Sequence, residues 1–383
     1  MLFTLEAMQA EKGDSLILHY GNTKSPRFIV IDGGPNPVYE KSLKPRLQQL
    51  HGKFKNPDDD KLDIEMVMVS HIDDDHINGI LQWFGELDAN QSSGLPYNIQ
   101  TLWFNSFDES LGNLSQELKS HLASMTATTA PGSSKAVVAS VGQGRDLRRV
   151  TDRLAIGFNQ GFSGLVIAPD KAEDRVIPIG DGLTFHVLCP SKKRLEALGK
   201  EWEKDVKKHP DKAVVASFTD RSVANLSSIV VLAEMKAGGK TKRMLLTGDA
   251  RGDDILAGLA DSGLMKDGAI HIDLLKFPHH GSNRNMDQTF LEKVTADHYV
   301  ISANGEHDNP DPEIFEWLAA ARGKDPYTIY LTNEHLFEPK KRRDIEKIVK
   351  KALADHPSPK RKVVFRKDAE LSLKVDLMDP VKF

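Results

Sequence analysis

Ser70-His71-Ile72-Asp73-Asp74-Asp75-His76-Ile77-Asn78-Gly79 is the stretch that decides the fold. An apolar run, Met66-Val67-Met68-Val69, ends directly at it. Ile77, Ile80, Leu81 and Phe84 follow at helical spacing. The stretch therefore reads as a strand-to-helix junction. His71 and Asp73 lie two apart, so in extended backbone they project to one side. Asp75 and His76 fall at the helix start, where the backbone dipole tolerates negative charge. Four ligand-type side chains thus converge at the carboxyl end of a strand, where open α/β architectures place their sites. An acidic helix cap accounts for one aspartate but for neither histidine. A calcium loop of the EF-hand kind fails too. Counted from Asp73, its third acidic position is Ile77 and its closing position is Phe84. Mixed histidine and carboxylate donors suit the divalent metals used in hydrolysis.

Two more strand-like runs end the same way. Arg243-Met244-Leu245-Leu246 leads into Thr247-Gly248-Asp249, and Leu274-Leu275-Lys276-Phe277 leads into Pro278-His279-His280-Gly281-Ser282. A lone Asp or His at a strand end is usually a turn residue; three strands ending in ligand types point to one site. Further strands are expected over residues 15–20, 28–31, 183–188, 227–233 and 299–302. Helices are expected over 39–50, 77–84, 114–124, 138–155, 253–262, 312–320 and 343–354. Residues 15–20 with 28–31, and 227–233 with 243–246, form two hairpins, the second turning over Lys236-Ala237-Gly238-Gly239-Lys240. The mixture predicts an α/β protein with mixed sheets.

The 383 residues allow one elaborated domain or two modest ones. Hydrophobic residues at 39% and charged ones at 28% exclude a disordered or fibrous chain. No apolar run approaches the ~18 residues of a spanning helix. Met1-Leu2-Phe3-Thr4-Leu5-Glu6 lacks the pattern of a cleaved leader, so a cytoplasmic protein with no membrane insertion is expected. The single cysteine, Cys189, excludes an intrachain disulfide and a multi-cysteine zinc cluster. Any metal must then rest on histidine and carboxylate. A net charge of −4 gives no global case for nucleic acid, but its distribution is uneven. Residues 106–160 are polar and helical and break the strand rhythm, as an insertion or cap would. Residues 336–383 read as a basic C-terminal extension. A solvated face is the commoner use of such a run; phosphate binding by Lys341, Arg342 and Arg343 is the functional alternative.

In combination and in order, these motifs resemble those of the metallo-β-lactamase-fold hydrolases, from Gly13 to about His307 with the central stretch unmatched. That family's signature is His-x-His-x-Asp-His after a strand, then a bridging Asp and a late His. Here the second histidine is Asp73. With Gly13-Asp14-Ser15, Asn225-x-x-Ser228, Thr247-Gly248-Asp249 and His279-His280-Gly281-Ser282, that version looks like one branch. It is the branch of the hydrolase domain of the ComEC competence DNA-uptake protein and of the phosphorylcholine esterases.

The resemblance implies a four-layer αββα sandwich, one domain over residues 1–383, and two divalent metal ions, zinc or manganese. Metal one would take His71 and Asp73, metal two Asp75, His76 and His280, with Asp249 bridging. The family's usual histidine after the third motif has no counterpart, so Asn225 or water would complete metal one. Asp32, in Ile31-Asp32-Gly33-Gly34, would orient a ligand from behind, and His307 would line the cleft. Asp75, Asp249 and His279 are the expected catalytic side chains, His279 stabilising charge or protonating the leaving oxygen. The hard oxygen of Asp73 favours phosphate over amide substrates. The expected activity is a phosphodiesterase or nuclease using a metal-bridging hydroxide, with nucleic acid as one possible partner. The alternatives are a small-molecule ester or thioester hydrolase of the same fold and a non-catalytic binding or regulatory module.

Overall fold

The computed structural model describes residues 1–106, 134–197, 227–333 and 344–383, with residues 134–141 described by backbone alone. Its first half contains β1 (Leu2–Met8), β2 (Ser15–Gly21), β3 (Pro26–Gly33), α1 (Lys44–Phe54), β4 (Leu62–Ile64), β5 (Met66–Val69), α2 (Asp74–Ala89), β6 (Tyr97–Ile99), β7 (Thr101–Phe104), α3 (Ser134–Arg153) and β8 (Gly157–Phe158). Then come β9 (Val176–Gly180), β10 (Leu183–Cys189), β11 (Val230–Ala237), β12 (Lys240–Leu246) and α4 (Gly252–Asp261). β13 (Ile270–Lys276), α5 (Gln288–Lys293), β14 (Val294–Ile301), α6 (Pro312–Arg322), β15 (Tyr327–Leu331), α7 (Ile345–Ala352), β16 (Arg361–Phe365) and β17 (Ser372–Asp376) complete the described order.

Two mixed sheets stack face to face. One runs β17-β1-β2-β3-β5-β7-β8 and the other β16-β15-β14-β13-β12-β11-β10-β9. Alternation along each strand explains the stacking. In β2, Leu16 and Leu18 point into the layer between the sheets, while Ile17 points to the helices. In β12, Met244 and Leu246 face the middle and Leu245 faces the opposite helices. Phe3, Ile31, Met68 and Trp103 meet Phe185, Val231, Met244 and Leu274 between the sheets. Leu47, Ile77, Ile80, Trp83 and Leu147 cover one outer face, and Ile255, Phe290, Ile314, Leu318 and Val349 cover the other. These are the αββα layers that the resemblance implied.

Several elements differ from the sequence reading. β1 was not anticipated, yet all seven of its residues are buried between β17 and β2. The second hairpin is longer than expected, with β11 and β12 enclosing a turn of Gly238 and Gly239 alone. The chain's last strands join both sheets. β17 pairs antiparallel with β1, placing Asp376 opposite Thr4, and β16 pairs parallel with β15. Within residues 106–160, Leu147 and Val150 of α3 pack into the helix layer and β8 extends the first sheet beyond β7. The helix expected over 114–124 lies outside the described residues. No described helix is long and apolar enough to cross a membrane.

The site is set by how closely α2 approaches the end of β3. A Cβ on Gly33 would meet Ile80 N at 2.3 Å, and one on Gly79 would meet Gly33 O at 2.0 Å. Gly79 N also donates to Gly34 O at 2.9 Å. Two glycines facing each other let the helix start beside the strand end and carry residues 73–76 over it.

Candidate metal centre

Residues from the ends of β3, β5, β12, β13 and β14 meet at one end of the sandwich. Asp73 occupies the N-cap position of α2, but its side chain makes no capping bond there. It stands instead 3.6 Å from His71 Nε2. The capping explanation of this acidic run therefore fails for Asp73. His279 and His280 have φ of 48° and 56°, and Asp32 has φ of 58°. Left-handed backbone in a residue with a Cβ costs roughly 1–3 kcal/mol each and survives where surrounding packing holds it. Three such residues at one site mark it as a place where orientation outweighs backbone comfort.

Four histidines share one arrangement. Asp32 Oδ2 accepts from His76 Nδ1 at 2.8 Å and from the Ser70 hydroxyl at 2.7 Å. The Ser70 proton being so committed, its oxygen accepts from His71 Nδ1 at 3.0 Å. His280 Nδ1 donates to the Ser302 carbonyl at 3.0 Å. Asn285 Nδ2 donates to the Asp249 carbonyl at 2.7 Å, which turns its Oδ1 toward His279 Nδ1 at 2.6 Å. Each Nδ1 is thus held by an acceptor, and the other ring nitrogen is directed inward.

Asp249 lies at the focus. Its Oδ1 is 3.3 Å from His76 Nε2 and 3.6 Å from His280 Nε2. Its Oδ2 is 3.8 Å from His71 Nε2 and 3.6 Å from His279 Nε2. Asp75 Oδ2 is 3.7 Å from His280 Nε2. The Nε2 atoms of His71, His76 and His280 and Oδ1 of Asp249 are buried and make no hydrogen bond. Orphaned buried polar atoms are rare, and several converging ones call for a missing partner. Imidazole nitrogens and carboxylate oxygens are the donors a divalent cation needs. Donor atoms of His71, His76 and Asp249 lie within 4.8 Å of one another, as do those of Asp75, His76 and His280. The residues present therefore fit divalent metal. His71 is grouped here with His76 and Asp249, whereas the resemblance paired it with Asp73.

The charges agree with that fit. Among the described residues, Asp14, Asp32, Asp73, Asp75 and Asp249 meet one lysine, Lys276, whose ammonium bonds Asp14. A buried carboxylate without compensation costs several kcal/mol. Five carboxylates against one ammonium leave the charge that two divalent ions would neutralise. Without metal, histidines take up part of it. Burial disfavours charge on His76, but Asp249 and Asp32 outweigh it and raise its pKa well above the usual imidazole value. His280 is raised too, with Asp249 and Asp14 overcoming burial. Burial likewise pushes Asp249 up, and His279, His280 and His76 reverse this and hold it well below the usual carboxylate range. His279 goes the other way: burial lowers it and keeps the ring neutral.

His307 contacts Lys12 Nζ at 3.4 Å and Glu306 Oε1 at 3.8 Å, at the outer rim. Asn225, Lys341, Arg342 and Arg343 lie outside the described residues. Gln143 donates to Asp74 Oδ1 at 2.8 Å, tying α3 to α2. Ser70, Asn285 and Ser302 were missed as orienting groups. Asp14 had been noticed only within Gly13-Asp14-Ser15, and Lys276 only as part of a strand.

No family model and no curated protein matches this chain. Among solved structures it is similar to the metallo-beta-lactamase fold protein YhfI from Bacillus subtilis, at 12% identity and a TM-score of 0.39, over 97% of this chain and 99% of that one.

Proposed function

We propose that this chain is a divalent-metal-dependent hydrolase acting on phosphodiesters. One observation carries the reading: buried imidazole Nε2 atoms converge on Asp249 with no hydrogen-bond partner for three of them. A structural cluster loses stability by leaving several such atoms unpaired side by side.

His71, His76 and Asp249 would hold one ion, and Asp75, His76 and His280 would compete for or share the second, with Asp249 between them. Ions bound there supply positive charge for phosphoryl oxygens and lower the pKa of a bound water. Asp73, 3.6 Å from His71 and about a quarter exposed, adds a hard oxygen at the open side. This carboxylate-rich donor set favours phosphoryl over amide substrates. The resemblance of Asp73 and of His279-His280-Gly281-Ser282 to the ComEC and phosphorylcholine esterase branch supports the same choice.

His279 is suited to move a proton. It is the most open of the four rings, with 12% of its side chain exposed. Asn285 holds its Nδ1, so proton exchange takes place at Nε2. Kept neutral by burial, that nitrogen can accept a proton as water attacks and return it to the leaving oxygen.

The test is hydrolysis of bis-p-nitrophenyl phosphate with added Mn²⁺ or Zn²⁺, beside single-strand DNA, duplex DNA, RNA and a thioester. Metal-stimulated phosphodiester turnover that is lost in Asp249→Ala supports the reading. Thioester turnover with inert phosphodiesters would overturn the substrate class. Equal turnover in the Asp249→Ala protein would overturn the site.

A further inference from the structure

The β1–β2 turn closes one side of the metal centre and brings Asp14 within 4.8 Å of donor atoms of Asp32 and His76. A Cβ on Gly13 would meet the Asp75 carbonyl oxygen at 1.9 Å, so only glycine allows the turn this close. Asp14 N donates to the same Asp75 carbonyl at 3.2 Å, and Ser302 Oγ donates to the Gly13 carbonyl at 2.6 Å. The turn is thus fixed to the start of α2, which carries Asp75 and His76, and to the end of β14, where Ser302 orients His280. It brings Asp14, almost wholly buried, behind His280, with Oδ1 3.5 Å from Nδ1. That Oδ1 is buried and has no hydrogen-bond partner. A carboxylate oxygen of Asp14 lies within 4.8 Å of donor atoms of both Asp249 and His280. Asp14 Oδ2 is bonded by Lys276 Nζ, which is fully buried and also donates to the Phe277 carbonyl at 3.0 Å.

We infer that Asp14 and Lys276 are a positioning pair for the metal ion at His280, Asp14 backing the imidazole and Lys276 holding Asp14 out of the coordination sphere. The inference rests on the metal reading above. It resembles the Asp32–His76 contact, but His280 Nδ1 donates to the Ser302 carbonyl, so Asp14 acts on the ring by charge at 3.5 Å. A second difference is the lysine. Asp32 is bonded by Ser70 and His76, whereas Asp14 carries its own counter-charge. An ammonium so near a cation site opposes binding, and a carboxylate favours it. The two members of the pair therefore act on metal affinity with opposite signs.

The experiment is chelator competition with Zn²⁺ and Mn²⁺, resolving the two binding steps, on the full chain and three variants. Asp14→Asn should weaken the affected step by roughly tenfold or more, the range for outer carboxylates behind metal-bound histidines. Lys276→Met should tighten it above wild type, with the visible spectrum of the Co²⁺ form changing as Asp14 gains access to the ion. Each single variant leaves a buried partner unpaired and lowers the melting temperature. The double variant Asp14→Asn with Lys276→Met removes both charges, and should recover stability while keeping the weak affinity of Asp14→Asn. A purely structural pair gives weaker binding in both single variants, with affinity and stability recovering together in the double; that result would overturn the inference. So would wild-type affinity in Asp14→Asn. A wild-type chain that binds neither ion defeats the metal reading itself, a distinct outcome.

Discussion

One buried cluster of histidine and carboxylate lies on the first sheet, and another lies where strands of both sheets end; the difference between them is instructive. On the helix-facing side, Glu6 of β1 accepts from His19 at 2.7 Å and from Arg46 at 3.0 Å, and Ser372 of β17 donates to it as well. Glu6 and His19 are wholly buried. A guanidinium built into the fold closes this cluster. At the strand ends, three Nε2 atoms and Asp249 Oδ1 face one another with no hydrogen-bond partner among the described residues, whereas the closed cluster leaves only His19 Nδ1 so. The histidines respond in opposite directions. Burial lowers His19 even beside Glu6, whereas Asp249 and Asp32 overcome burial and raise His76. Burial of charge is therefore not what marks a functional site. The mark is a cluster whose counter-charge the described residues do not fully supply.

That difference can be broken from either side. The largest effect is expected at the open cluster: Asp249→Ala should cut metal-dependent phosphodiester turnover by about a thousandfold or more. Glu6→Gln, measured per folded molecule, should leave turnover within about twofold of wild type, since it breaks only the closed cluster. A comparable loss in Glu6→Gln would erase the distinction. In urea unfolding, Glu6→Gln should instead cost about 3–5 kcal/mol, because it leaves Arg46 buried without its carboxylate partner. Asp249→Ala should also cost stability in the metal-free protein, because it removes the carboxylate that sustains protonated His76 and His280.

A finer separation comes from Asp32. Asp32→Asn keeps the size of the side chain but loses the carboxylate behind His76, and metal affinity should fall about 10- to 100-fold. Unchanged affinity would mean that the 2.8 Å contact does not orient a ligand.

The smallest effect is the pH response of metal-free protein, and its sign differs between the clusters. His76 and His280 have folded pKa values raised above 6.5, so their contribution is complete below that value and is lost as pH rises through the folded values. Glu6 is lowered from 4.5 to about 2, so its contribution is present above 4.5 and is lost in acid as pH approaches 2. Alkaline destabilisation should therefore shrink in His76→Ala, and acid destabilisation should shrink in Glu6→Gln. Thermal melts across pH measure both, and identical pH profiles in the two variants would contradict the assignment.

Much of the open cluster was legible because its ligands sit where an apolar run stops. His71, Asp249 and His280 each follow a strand that its own composition reveals. Their orienting partners were not legible, since Ser302, Asn285 and Asp14 are ordinary polar residues until sheet order brings them near. Asp14 and Lys276 are 262 positions apart and become partners only because the β1–β2 turn crosses to the other sheet. The closed cluster was hidden for the same reason. Ser372 reaches Glu6 only through the β17–β1 pairing, and nothing local predicts that pairing. His307 also follows an apolar strand, and its left-handed backbone, φ 57°, brings it to Lys12 and Glu306, which line a cavity together with Asp74.

The most direct measurement is the metal content of the purified chain after equilibration with Zn²⁺ or Mn²⁺ and removal of free ions, for wild type and Asp249→Ala side by side. We expect two ions per wild-type chain and at most one, weakly held, in the variant. A wild-type chain that retains none, or an Asp249→Ala chain that retains as much as wild type, would contradict the reading of the unpaired histidines as a metal centre.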